Sequence, residues 1–169
     1  TVAVNNGRLS GHNTDWLGFA AQYKELCKQG ASVGPVLLIG AGGAGRAAAY
    51  ALKAGGVSEI LVFDPNTHAA QSLASHIGEK NCKITPVPGP EDAAKKVVGI
   101  VNASTVGMHG LGGLPIEENA IKPDHWVAEV VYIPIVTSLV KTAKKLGCLV
   151  ATGDSMCFEQ AIASFEIMT

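Results

Sequence analysis

The sequence predicts an α/β fold, a doubly wound and mostly parallel sheet of about six strands with helices on both faces. Three observations carry this prediction. Val36, Leu37, Leu38 and Ile39 form an apolar run that stops at a glycine cluster, and a helix-period segment opens directly behind it. Short apolar runs alternate with such segments through the rest of the chain, as expected of strands joined by crossover helices. The loops behind the runs are polar or glycine-rich, and an open parallel sheet gathers such loops at the carboxyl ends of its strands. Right-handed crossovers then put helices on both faces.

At the start, residues 1–4 and 8–9 flank Asn5-Asn6-Gly7, whose Asn-Gly pair is a strong hairpin signal. A helix is expected over 16–29, capped by Thr14 or Asp15. Residues 30–35 connect to the strand at 36–39, and a second strand at 59–63 ends at Asp64. A helix follows over 68–77, then a short edge-like strand at 83–87, limited by Pro86, Pro88 and Pro90. Helix 91–96 leads into strand 98–101; behind it come the loop 102–108, the glycine-rich segment 110–113 and a helical turn at 116–120. Strand 126–131 ends at Tyr132-Ile133-Pro134, helix 137–146 stops at Gly147, strand 148–151 follows, and a last helix starts near Ser155. No repeat or low-complexity linker divides the chain. Residues 1–169 are therefore read as one domain, with 1–30 as a lead-in hairpin and helix and 155–169 as a return helix. The opening Thr1-Val2-Ala3-Val4 reads as the middle of a strand, so a truncated beginning is expected.

Gly40, Gly42 and Gly45 have the G-x-G-x-x-G spacing of a Rossmann-type dinucleotide loop, here Gly40-Ala41-Gly42-Gly43-Ala44-Gly45. Gly40 permits the sharp turn out of the strand, Gly42 lets the backbone approach a pyrophosphate, and Gly45 lets the helix pack closely on the strand. The free N–H groups and dipole at the helix start favour the phosphate charge. Glycine clusters also end strands in proteins that bind nothing; Asp64 strengthens the signal. It lies roughly 20 residues beyond the loop, where an acid accepts hydrogen bonds from the adenosine ribose. That carboxylate repels a 2′-phosphate, and Asp64-Pro65-Asn66-Thr67-His68 offers no cation, so NAD is favoured over NADP. The bland reading of Asp64 is a surface residue capping the next helix.

Composition narrows the function. With 47% hydrophobic and 16% charged residues and a net charge of −1, the chain is globular, and nothing basic is concentrated enough for nucleic acid. No apolar run is long enough for a bilayer span. Cys27, Cys82, Cys148 and Cys157 show no metal-ligand spacing and read as reduced, mostly buried thiols of a cytoplasmic protein; no metal site is assigned. Asp15 has the position of a helix cap, or of a carboxylate accepting a bond from a substrate hydroxyl. Tyr132 is a packed tyrosine or a phenol reaching a ligand, and Gln160 is either solvated or a donor to a hydroxyl. The residues alone leave these three open.

Taken together, Asn13-Thr14-Asp15, the glycine loop, Asn102-Ala103-Ser104 with Gly107-Met108, Val131-Tyr132-Ile133-Pro134, and the stretch from Gly153 to Gln160 resemble the shikimate dehydrogenases. The resemblance covers the cofactor-binding half of that family. It is greatest to the NAD-using quinate/shikimate dehydrogenases, because Asp64 stands where NADP enzymes carry Asn-Arg-Thr and because Lys122-Pro123-Asp124-His125-Trp126 leads into Val130-Val131-Tyr132. It implies oxidation of a ring hydroxyl of quinate or shikimate, with hydride passing to NAD. Asp15 matches the aspartate that, with a lysine, holds the reacting hydroxyl. Tyr132 and Gln160 match substrate-pocket residues; Gly153 and Met156 match residues beside the nicotinamide. Asn102, Ala103, Ser104 and Thr105 match the loop along the cofactor, and Val131 joins the cofactor set. The family's N-terminal substrate domain, with its catalytic lysine and carboxylate-gripping residues, has no counterpart in this sequence; Lys24 and Lys28 match no catalytic position. The chain alone is thus expected to bind cofactor without turnover. An apolar face on the first and last helices is expected to meet the substrate domain, or to drive a homodimer. Two other readings compete: an NADP-dependent shikimate dehydrogenase, and a non-catalytic dinucleotide or quinate sensor, against which Asp15 and Gln160 argue.

Overall fold

The computed structural model describes residues 1–169, apart from the side chain of Asn5. Strands β1 (Val2–Asn5) and β2 (Arg8–Gly11) form a separate antiparallel hairpin. Asn6 and Gly7 turn it with φ of 51° and 76°, the two positive values that a tight two-residue turn requires. Helix α1 (Asp15–Lys28) carries the chain to the main sheet.

That sheet has the order β5-β4-β3-β6-β7-β8, every neighbouring pair parallel. Its strands are β3 (Val36–Ile39), β4 (Glu59–Phe63), β5 (Lys83–Pro86), β6 (Gly99–Asn102), β7 (Trp126–Glu129) and β8 (Leu149–Ala151). The crossovers include α2 (Gly43–Ala54), α3 (Thr67–Ile77), the short α4 (Pro90–Ala94) and α5 (Ser138–Leu146), and α6 (Gly153–Met168) closes the chain. The strand order reverses between β3 and β6, which makes their carboxyl ends the crevice of the fold.

Alternation along each strand splits the interior into two cores. Val36, Leu38, Ile60 and Val62 face one side with Phe19, Leu26, Ala48 and Leu52 of α1 and α2. Leu37, Ile39, Ile100 and Val127 face the other, against Ala94, Leu139 and Ala143 of α4 and α5. The caps of α3 and α5 come from Asn66 and Thr137, whose side chains accept the Ala69 and Val140 N–H groups.

Several boundaries differ from expectation, each for a tertiary reason. Thr14 does not cap α1 through its side chain: its hydroxyl meets Ser164 Oγ at 2.9 Å and Gln160 Oε1 at 3.4 Å, docking α1 onto α6. Asp15 lies inside the first turn, and its N–H is taken by Asn13 Oδ1 at 3.0 Å. Strand β7 ends at Glu129 rather than at 131, because the Glu129 carboxylate claims the Val131 N–H at 3.1 Å. Helix α6 begins at Gly153 rather than near Ser155. The expected apolar face is present on α6, as Phe158, Phe165 and Met168, and on the hairpin, as Val2, Val4 and Leu9. It does not extend over α1, whose Phe19, Tyr23 and Leu26 are buried in the core beneath α2 and α6. All four cysteines are free; Cys82 and Cys148 are buried, Cys27 and Cys157 only partly. Among the described residues no helix is long and apolar enough to cross a membrane.

Candidate functional site

The junction of β3 and α2 is built by its glycines. Gly40 has φ of +103°, a left-handed conformation, and a Cβ there would lie 2.6 Å from the Ala103 carbonyl oxygen. A Cβ on Gly45 would overlap the Gly40 carbonyl oxygen, so α2 reaches its seat only with glycine. At Gly42 and Gly43, by contrast, a Cβ would meet nothing within 4 Å. The protein leaves that side of the loop open, where the unpaired N–H groups of the α2 start emerge. Ala41 is itself buried, and its N–H donates to Asp64 Oδ2 at 2.8 Å. Asp64 Oδ1 accepts from the Asn66 N–H at 2.8 Å. The carboxylate therefore braces the glycine loop against the end of β4. Two of its roughly four lone-pair sites remain unfilled by these bonds.

Beyond Ala44 the crevice opens into two connected clefts. One, of about 380 Å³, lies between the loop after β6 and the loop after β7, lined by Ala103, Ser104, Thr105 and Met108 on one wall and Val130, Val131, Tyr132 and Ile133 on the other. The second, of about 270 Å³, is lined by Asp15, Tyr132, Gly153, Met156, Cys157 and Gln160. Ala44, Val130 and Tyr132 belong to both, so the two clefts adjoin along one crevice wall. Asp15, Tyr132 and Gln160, distant in sequence, thus meet around one space. Gln160 is held there by its Nε2, which donates to the Cys157 carbonyl at 3.0 Å.

Asn102, expected in the loop along the cofactor, is an internal brace of that loop. Its side chain is wholly buried, and its polar atoms are taken up within the protein, by the loop behind β6 and by Glu129. Its Nδ2 donates to Glu129 Oε1 at 2.9 Å and to the Val106 carbonyl at 3.0 Å. Its Oδ1 accepts from the Ser104 hydroxyl at 2.7 Å and the Ser104 N–H at 3.2 Å.

Glu129 is the residue that sequence reasoning missed. It is wholly buried, and Thr137 donates its hydroxyl to Oε2 at 2.8 Å. Burial pushes its carboxyl up to about 6, against the hydrogen bonds from Thr137, Val131 and Asn102, which favour the charged form. The signal was present in the sequence: an acid inside the apolar run Trp126-Val127-Ala128-Glu129-Val130-Val131, with no basic residue within the run. Gln22 of α1 was missed too; its amide donates to the backbone oxygens of Glu129 and Thr152, at 3.1 and 2.9 Å, tying α1 to the ends of β7 and β8.

A parallel sheet in this order, with a glycine turn at the switch point and an acid closing the next strand, defines a Rossmann domain. The sequence matches the family described as Shikimate / quinate 5-dehydrogenase over residues 24–109, and the chain belongs to that family. It is 39% identical over its whole length to a quinate/shikimate dehydrogenase (NAD(+)) of Corynebacterium efficiens, covering 61% of that protein. It is 37% identical to a shikimate dehydrogenase (NADP(+)) of Streptomyces avermitilis, again over the whole chain and covering 59% of that protein. The structure superposes on quinate dehydrogenase from Corynebacterium glutamicum, solved in complex with NAD, with a TM-score of 0.92 at 38% identity, over 99% of this chain and 61% of that one. The chain thus spans less than two thirds of the length of these relatives.

Proposed function

We propose that this chain is the cofactor-binding part of an NAD-dependent quinate/shikimate dehydrogenase. The observation that carries the reading is the single crevice that runs from the open glycine loop to Asp15, Tyr132 and Gln160. The open space at Gly42 and Gly43 fits a pyrophosphate, the free lone pairs of Asp64 fit the adenosine ribose, and the apolar cleft between Ser104 and Val131 fits a nicotinamide. NAD, when bound, supplies the hydride acceptor. The chain's own residues hold the substrate: Asp15 accepts from the reacting hydroxyl of quinate or shikimate, while Gln160 and Tyr132 engage the other ring substituents. The proton acceptor belongs to a second, substrate-binding domain. The relatives' greater length and the exposed apolar residues of α6 and the hairpin support its packing there.

An NADP-dependent shikimate dehydrogenase is the second reading, favoured by the NADP(+) relatives. Against it, the Asp64 carboxylate would repel a 2′-phosphate, and Arg46, on α2, is engaged with Ser72 Oγ at 3.0 Å. Calorimetric titration of the chain with NAD and with NADP separates the two. Saturable binding of NAD with NADP much weaker is the expected result. A preference for NADP overturns the NAD reading, and binding of neither overturns both.

A further inference from the structure

Glu129 has no basic partner, yet it lies buried beneath both walls of the crevice. From β6 it meets Asn102, from the loop behind β7 the Val131 N–H, and from the start of α5 Thr137; α1 sends only the neutral Gln22, to its backbone oxygen. No charged side chain faces it among the described residues. All three groups that meet its carboxylate are donors, and an ionised carboxylate is a pure acceptor. Oε1 is the common point of the two walls, since it accepts from Asn102 at 2.9 Å and from Val131 at 3.1 Å. Asn102 relays the brace through Ser104, whose hydroxyl in turn accepts the Val106 N–H at 3.2 Å. One carboxylate therefore sets the spacing between the Ser104–Thr105 wall and the Val131–Tyr132 wall.

Resting on the dinucleotide reading above, we infer that Glu129 is a positioning residue: its two oxygens hold the crevice walls at the separation that seats the nicotinamide end of the cofactor. The adenosine end, held by the glycine loop and Asp64 on β3 and β4, does not depend on it. Glutamine can replace it, its carbonyl taking Asn102 and Val131 and its amide donating to Thr137 Oγ. Leucine fills the same space, accepts nothing, and strands three buried donors.

The test compares NADH with ADP-ribose, which lacks the nicotinamide, on wild type, Glu129→Gln and Glu129→Leu. In the wild type, bound NADH should show enhanced nicotinamide fluorescence at saturation. Glu129→Leu should lose that enhancement while its ADP-ribose affinity is unchanged, and Glu129→Gln should keep both. Equal weakening of both ligands in the leucine variant would mean a purely structural role and would overturn the assignment. So would an undiminished enhancement in that variant, a glutamine variant that behaves like leucine, or no enhancement in wild type that binds NADH. Should the leucine variant not fold, Thr137→Val removes the Oε2 donor together with the α5 cap, which lies outside the crevice. A partial loss of the nicotinamide signal with ADP-ribose binding intact is then expected, and an unchanged signal overturns the assignment. Wild type that binds neither ligand refutes the dinucleotide reading itself, and this inference with it.

Discussion

Asp64 and Glu129 both close a strand of the same sheet, and their surroundings give them opposite duties. Asp64 is partly open to solvent and accepts two backbone N–H groups, with lone pairs to spare. Replacing it with asparagine removes the charge and half of the acceptor capacity. NAD affinity should fall about tenfold, the worth of a lost hydrogen bond to a charged group. NADP affinity should rise as the repulsion of the 2′-phosphate disappears, and paired titrations measure both. If NAD affinity is unaffected, Asp64 does not hold the ribose. Glu129 is sealed in, and its folded carboxyl lies near 6 against an ordinary 4.5 because burial disfavours the charge. The folded state then binds the proton more tightly than the unfolded chain does. Stability is fully present below 4.5 and declines as pH rises through 6, by on the order of 2 kcal/mol. Melting curves of wild type and Glu129→Gln from pH 4 to 7.5 should therefore diverge across this window, the wild type losing ground. Parallel curves would mean that the carboxyl titrates normally.

At the scale of elements, β3, its turn and α2 work as one unit with a division of labour among glycines. Gly45 is needed by the fold: a methyl there overlaps the Gly40 carbonyl, and Gly45→Ala should cost about 1–3 kcal/mol, as overpacking does. On the proposed dinucleotide reading, Gly42 serves the ligand. Its added methyl enters open space, so Gly42→Ala should melt like the wild type and yet lose dinucleotide affinity. Thermal melts and titrations of the two variants check this contrast, which fails if Gly42→Ala binds normally. This unit was legible in the sequence, because its strand, glycine turn and helix follow one another directly along the chain, although Gly40 also packs on Ala103 and Ala41 on Asp64. The ends of α1 and β7 were not. Thr14 gives its hydroxyl to α6 instead of capping its own helix, and Val131 leaves the strand ladder for a buried carboxylate. Local propensity holds no record of partners that arrive from distant segments.

For the whole molecule, the unpaired surface is the apolar strip of the hairpin and α6, where Phe158 and Phe165 are 65% and 64% exposed. Surfaces of this kind mark contacts. The chain by itself should self-associate as its concentration rises, and Phe158→Glu with Phe165→Glu should keep it monomeric without lowering its melting temperature. Light scattering across concentrations reads this directly; a monomeric wild type would show that the strip needs no cover. The sequence by itself determined the parallel α/β layering, the glycine loop, the place of Asp64 and the family, because periodicity, turn chemistry and motif order are properties of neighbouring residues. The family resemblance already implied that Asp15, Tyr132 and Gln160 share a pocket; only the tertiary structure decided that the Asn102 side chain is buried and that Glu129 joins both walls. Those facts depend on which strand ends lie side by side, and the strand order β5-β4-β3-β6-β7-β8 sets that through contacts between residues far apart along the chain.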